Sequence, residues 1–130
     1  MANPNIVTVA SIFAGNASWN LTATLTTTLL TVAAEYIFKI NSILCANVDG
    51  TNAAQLNLYI DGVGTSITGA TGASLATTIY LAKTVNVPAD DMLVVIDAPI
   101  YLMEGDVLRG GTGATGDLDL FISYEAIIDA

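Results

Sequence analysis

Apolar and polar residues alternate one by one along most of this chain. A period of two places side chains on opposite faces of an extended strand, so this pattern restricts the fold more than any other feature. In Leu21–Thr31, Leu21, Ala23, Leu25 and Leu29 alternate with Thr22, Thr24, Thr26 and Thr28, which predicts a half-buried strand with threonines facing out. In Tyr36–Val48, strict alternation puts Tyr36, Phe38, Ile40, Leu44, Ala46 and Val48 on one face. The other face mixes Lys39, Asn41 and Asn47 with Ile37, Ile43 and Cys45, as in a central strand partly covered on both sides. Ala54–Asp61 points Leu56, Leu58 and Ile60 inward, and Thr77–Val87 does the same with Ile79, Leu81, Val85 and Val87. Lys83 falls on that inward face and predicts a bulge or a snorkelling side chain. Met92–Ile96 reads as a short buried strand, Ile100–Leu102 and Val107–Arg109 flank a turn at Glu104-Gly105-Asp106, and Leu118–Ile128 closes the series.

Turns separate these runs at Asp49–Asn52, at Pro88–Asp91 with proline at the second position, and at Asp97–Pro99. Gly62–Ser74 and Gly110–Gly116 read as glycine-rich loops. Leu29–Phe38 resembles a helical turn in outline, but its threonines and β-branched residues disfavour one. The expected fold is all-β: a single-domain antiparallel β-sandwich, jelly-roll-like, of about seven or eight strands. Residues 15–130 form the sandwich. Residues 1–14, carrying Ile6, Val7, Val9, Ile12 and Phe13, form an N-terminal edge strand or an arm that pairs with a neighbouring subunit.

Composition removes whole classes of function. The 130 residues hold 12 acidic and 3 basic side chains, for a net charge of −9, with no His and one Cys. Without His there is no Ser-His-Asp or Cys-His catalysis and no imidazole metal site. One Cys closes no intrachain disulfide. Three cations cannot neutralise a run of phosphates, so nucleic acid is not an expected partner. Mean hydropathy is +0.64, yet every apolar stretch is far shorter than the roughly 20 residues of a spanning helix, so no membrane is expected either. Charged residues make up only 12% of the chain, about half the usual share of roughly 25%. Thr, Asn, Ser and Gly replace them. Since charge is depleted at the cores of protein interfaces, much of this surface is expected to be covered in an assembly.

Four motifs offer chemistry. Gly111-Thr-Gly113-Ala-Thr-Gly116 matches the dinucleotide fingerprint, but that site needs a helix next, and Asp117-Leu-Asp-Leu-Phe-Ile alternates like a strand. Asp117 and Asp119 would also repel phosphate, so no cofactor is expected. The same stretch approaches a calcium nonapeptide but places Thr115 where Asp is needed, which leaves adventitious cation binding at Asp117 and Asp119 as the alternative to no metal site. Glu35, Glu104 and Glu125 are too scattered for paired-carboxylate hydrolysis, so the chain is not expected to be an enzyme. Trp19 either stacks on a receptor sugar or plugs the rim of the core. Thr-Gly-Ala-Thr-Gly occurs at 68–72 and at 112–116; both loops, with Gly69, Gly72, Gly113 and Gly116, are candidate contact surfaces.

Several segments carry a resemblance. Asn3-Pro-Asn-Ile-Val-Thr-Val-Ala-Ser-Ile, Phe38-Lys-Ile-Asn-Ser-Ile, Ala46-Asn-Val-Asp-Gly-Thr-Asn-Ala-Ala, Leu81-Ala-Lys-Thr-Val-Asn-Val-Pro-Ala-Asp, Ile100-Tyr-Leu-Met-Glu-Gly-Asp-Val-Leu-Arg and Gly116-Asp-Leu-Asp-Leu-Phe-Ile-Ser-Tyr-Glu resemble small virion structural proteins of tailed bacteriophages, notably those of marine cyanobacteria. Together they span most of the chain, which departs from the pattern in a longer Gly62–Ser74. The resemblance implies a non-enzymatic particle component, best a capsid decoration (cement) protein on the outer capsid surface. Its partners would be the major capsid protein and copies of itself, often as a trimer. Ile6, Val7, Val9, Ile12, Phe13 and the two glycine loops would be its contact residues. The alternative is a tail, neck or fibre module touching the host surface through Trp19.

Overall fold

The computed structural model describes residues 9–62 and 77–129. Among them are nine strands and no helix: β1 (Val9–Asn20), β2 (Thr28–Thr31), β3 (Tyr36–Asn47), β4 (Ala54–Asp61), β5 (Ile79–Val87), β6 (Met92–Ile96), β7 (Ile100–Leu102), β8 (Val107–Thr112) and β9 (Leu118–Asp129). All pairings are antiparallel. One sheet has the order β1-β9-β3-β6, with β7 also on β3; the other has the order β2-β8-β4-β5. Taking β6 and β7 as two pieces of one position, the chain crosses between sheets at nearly every connection. Only the β4–β5 and β6–β7 connections stay within one sheet. This interleaving is the jelly-roll form of the β-sandwich.

The core lies between the two sheets. Ile40, Ile43 and Cys45 of β3, Leu56 and Leu58 of β4, Leu108 of β8, and Leu118, Leu120 and Ile122 of β9 are buried to 1% exposure or less. Each large aliphatic side chain among them removes enough apolar surface from water to contribute a gross 1.5–3 kcal/mol or about that. On β9 the alternation holds over the first half, with Leu118, Leu120 and Ile122 in and Asp119 and Phe121 out, whereas Ala126 and Ile127 are both buried near its end.

β3 departs from strict alternation. Its register against β9 shifts between Ile40 and Ser42. Ile40 faces inward, the extra residue flips the sequence of faces, and Ile43, Cys45 and Asn47 face inward next. Leu44 and Ala46, expected on the core side, therefore lie on the outer side, and Val48 just past the strand is 54% exposed.

The expected strand over Leu21–Thr31 is a strand only in its last four residues. Leu21 ends on the core at 1% exposure, but residues 22–27 cross from one sheet to the other along the edge of β8. Their carbonyls take the place of a ladder: Thr112 N–H donates to Thr22 O (2.9 Å) and Gly110 N–H to Thr27 O (3.0 Å). A run of threonines meets the pattern of a strand, but their hydroxyls also bond locally, as Thr27 Oγ1 does to Thr24 O at 2.8 Å.

β5 is bulged where Lys83 disturbs the alternation. Two register shifts bring Ala82 inward at 4% exposure, while Leu81 packs half-buried against the core and Ile79, expected inward, is 41% exposed. Lys83 swings out, its Nζ 5.1 Å from the ring centre of Tyr80. Thr84 takes a left-handed φ of 55°, and its N–H is satisfied by Asn57 Oδ1 at 3.1 Å. β6, expected to be buried, is an edge strand with Met92 at 53% and Val94 at 46% exposure. At the 88–91 turn Asp91 N–H donates to Pro88 O (3.2 Å), so proline occupies the first turn position and not the second.

Candidate interaction surface

The outer side of the β1-β9-β3-β6 sheet follows from the registers, since residues opposite each other in a ladder share a face. Val94, Leu44 and Phe121 form one row across β6, β3 and β9. Met92, Ala46 and Asp119 form the next. Val94, Phe121 and Met92 are 46%, 39% and 53% exposed, so this end of the face is an apolar strip open to solvent. Toward the other end, Tyr101, Lys39 and Glu125 make a row, with Lys39 Nζ 3.5 Å from Glu125 Oε2. Ile12, Ile127 and Ile37 make the last.

This strip was hidden from simple alternation by the bulge at Asn41. The signal for it was present: Ile40 and Ile43 are separated by two polar residues, Asn41 and Ser42, a spacing of three that no unbroken strand can place on one face.

β1 is the edge of the same sheet. It runs unbroken across residue 14, where the sequence suggested that an arm gives way to the sandwich. Of the arm residues, Ile12 is 55% and Phe13 57% exposed, while Ile6 and Val7 lie outside the described residues, as do Gly69 and Gly72. Trp19 sits opposite Leu120 on the core-facing side and packs, half-buried, against the core. That is the rim-plug position.

The second glycine segment is not a simple loop. Gly110, Gly111 and Thr112 belong to β8, between β4 and the 22–27 crossing. A β-carbon on Gly110 would collide with Asn57 O, and one on Gly111 would stand 2.6 Å from Thr24 O and 2.8 Å from Thr22 O. Gly113 is exposed, and Gly116 holds a positive φ of 90° in the turn into β9. A strand follows this motif, so no helix N-terminus is there to meet a pyrophosphate. Asp119 Oδ1 accepts a hydrogen bond from Asn20 Nδ2 at 2.7 Å. No three His, Cys, Asp or Glu among the described residues come together as a metal site. No helix among them is long and apolar enough to cross a membrane.

Two further side-chain clusters brace the sandwich. Asn47, 3% exposed, donates through Nδ2 to Asn52 O and Val87 O, both at 3.0 Å, and accepts Asp49 N–H at 2.9 Å. Asp49 in turn accepts N–H groups of Thr51 and Asn52 and the Asn52 side chain, which hold its carboxyl below the usual range. Arg109 Nε lies 2.9 Å from Asp61 Oδ2, and its Nη1 donates to Thr28 Oγ1 at 2.6 Å, joining β8 to β4 and β2. Cys45 is buried, and desolvation followed by the Asp119 charge raises its thiol to about 11.

No family model matches this chain, and no curated protein matches it in sequence. Among solved structures it is similar to the VP2 subviral particle of infectious bursal disease virus, at 13% identity and a TM-score of 0.42. The match covers 92% of this chain and 32% of that one, so the chain spans about a third of the viral protein's length.

Proposed function

We propose that this protein is a non-enzymatic structural component of a virion, a capsid decoration protein that clamps neighbouring capsid subunits from outside. The observation that carries the reading is the apolar strip Val94–Leu44–Phe121 and Met92–Ala46 on the outer face of a two-layer fold. A jelly roll already has its core between the sheets, so an apolar strip on its outer side has no internal duty. Covering it against a capsid subunit would contribute about 25 cal/mol per Å² of apolar area, less the costs of association. The low share of charged residues and the sequence resemblance to phage virion proteins support the same reading. So do the placements of Ile12 and Phe13 on an exposed strand edge.

Copy number tests it. On a gel of purified particles the protein should approach the major capsid protein in stoichiometry. A few copies per particle would assign it instead to a tail, neck or fibre, and absence from particles would overturn the virion reading.

A further inference from the structure

We infer that β1 pairs with β1 of a second copy, antiparallel, about a two-fold axis through Asn16. The inference rests on reading the chain as an assembly subunit, and it names the strand through which copies meet.

Among the described residues, nothing pairs the free side of β1. Such an edge is a template for another strand unless it is short, bulged, charged or broken by proline. β1 has none of these protections from Ser11 to Asn20: its register against β9 runs without a shift, and it holds no charged residue and no proline. The other edges are protected. β5 shifts register twice and carries Lys83; β2 has four residues; β6 has five, bracketed by Asp91 and Asp97.

Charge selects a second copy as a tolerable occupant despite the net charge of −9. The acidic residues nearest this edge, Asp119, Glu125 and Asp129, are on β9, one strand in. In a β9-β1-β1-β9 arrangement the two β9 strands stand three strand spacings apart, about 14 Å. That exceeds the Debye length of about 8 Å at physiological salt.

The register follows from the side chains. A two-fold axis through Asn16 sets Phe13 opposite Trp19 of the second copy, on the core-facing side. Phe13 is 57% exposed in the single chain, and aromatic cross-strand pairs are favourable. Ala14 meets Ser18, Gly15 meets Ala17, and Asn16 meets its own copy, each amide supplying both a donor and an acceptor.

Sedimentation of the purified full chain tests the pairing. A species of twice the 13.4 kDa chain mass is expected, and Asn16→Glu, which sets like charges opposite each other, should weaken association roughly a hundredfold while leaving the β-sheet circular dichroism unchanged. Asn16→Cys should oxidise to a covalent dimer, whereas Ile12→Cys should not, since its copy lies eight residues away along the ladder. Cys45 is buried and does not interfere. A single-chain mass at tens of micromolar, a trimer, or equal cross-linking at both positions would overturn the two-fold pairing. None of these outcomes bears on the copy number in particles, so the two readings fail separately.

Discussion

Gly111 and Thr24 approach so closely that a β-carbon on the glycine would stand 2.6 Å from the threonine's carbonyl oxygen. The 22–27 crossing lies against β8 at that distance because Thr112 and Gly110 donate into it. The glycines of this segment therefore have different roles, which substitution separates. Gly111→Ala must push backbone away from backbone, and should cost about 2–3 kcal/mol, the upper range of overpacking. Gly110→Ala meets Asn57 O in the same way and should cost at least as much. Gly113→Ala has open space, with nothing nearer than Gln55 at 3.9 Å, and should be neutral or stabilising by about 0.4–1 kcal/mol through the unfolded chain. Urea unfolding of the three variants checks the order. Equal effects at Gly111 and Gly113 would remove the close-approach argument.

Asn47 is the polar residue on which the β3–β4 connection is built. Its amide joins Asn52 O and Val87 O, and its oxygen takes the Asp49 N–H. Asn47→Leu keeps volume but strands those groups, so a loss of about 2–4 kcal/mol is expected from unsatisfied buried partners. Asn47→Asp retains the acceptor and loses both donations, and should also destabilise. Thermal melts of the two variants decide the matter; a shift of a degree or less for Asn47→Leu would show that the network carries no weight.

Cys45 provides a titratable reading of core integrity. Its thiol is raised from 9.0 to about 11 because burial, and then the Asp119 charge, disfavour the thiolate. Above pH 9.0 the unfolded chain loses this proton while the folded one keeps it. The unfolded state then binds fewer protons, so stability falls as pH rises from 9.0 towards 11. Alkylation at pH 8 should be slow in the native protein and fast in urea. Cys45→Ala should flatten the alkaline limb of the stability profile at the cost of a small cavity. An unchanged limb in that variant would assign the alkaline loss to another group.

Much of the jelly roll was legible because alternation survives wherever a strand has one dry face. The core faces of β4 and β9 were read correctly, down to Leu56, Leu58, Leu118, Leu120 and Ile122, but their other faces are not uniformly wet: Asn57, Tyr59 and Ile127 are buried as well. The reading failed where an extra residue changes the parity. At Asn41 it inverted the faces of Leu44 and Ala46, and in β5 it brought Ala82 onto the core and left Ile79 exposed. It also failed at Thr22–Thr27, where threonines alternate as in a strand but bond to their own loop. Beyond the jelly-roll class the strand order was not legible, because the period of a strand says nothing about which strand lies beside it. The candidate surface was missed for two reasons: the changed parity put Leu44 and Ala46 on the core side, and β6, read as buried, is an edge strand.

That parity error leads to the most direct test of function. If Leu44, Val94 and Phe121 faced the core, a charge at any of them would unfold the protein, at a cost well beyond the ordinary range for surface changes. On the outer side they are free to change. Val94→Asp and Phe121→Asp should each leave the unfolding midpoint of the isolated protein within about 0.5 kcal/mol of the original in free-energy terms. The same substitutions should abolish co-sedimentation with particles, because a buried unpaired carboxylate at the centre of an interface costs far more than the contacts it replaces. Tyr101→Asp, on the same outer face but in the Lys39–Glu125 row, is the matched control: the same charge on the same face, outside the apolar strip and away from β1. It should retain binding. Stability loss in the isolated Val94 and Phe121 variants would return these residues to the core, whereas full particle binding by stable variants would place the capsid contact elsewhere on the molecule.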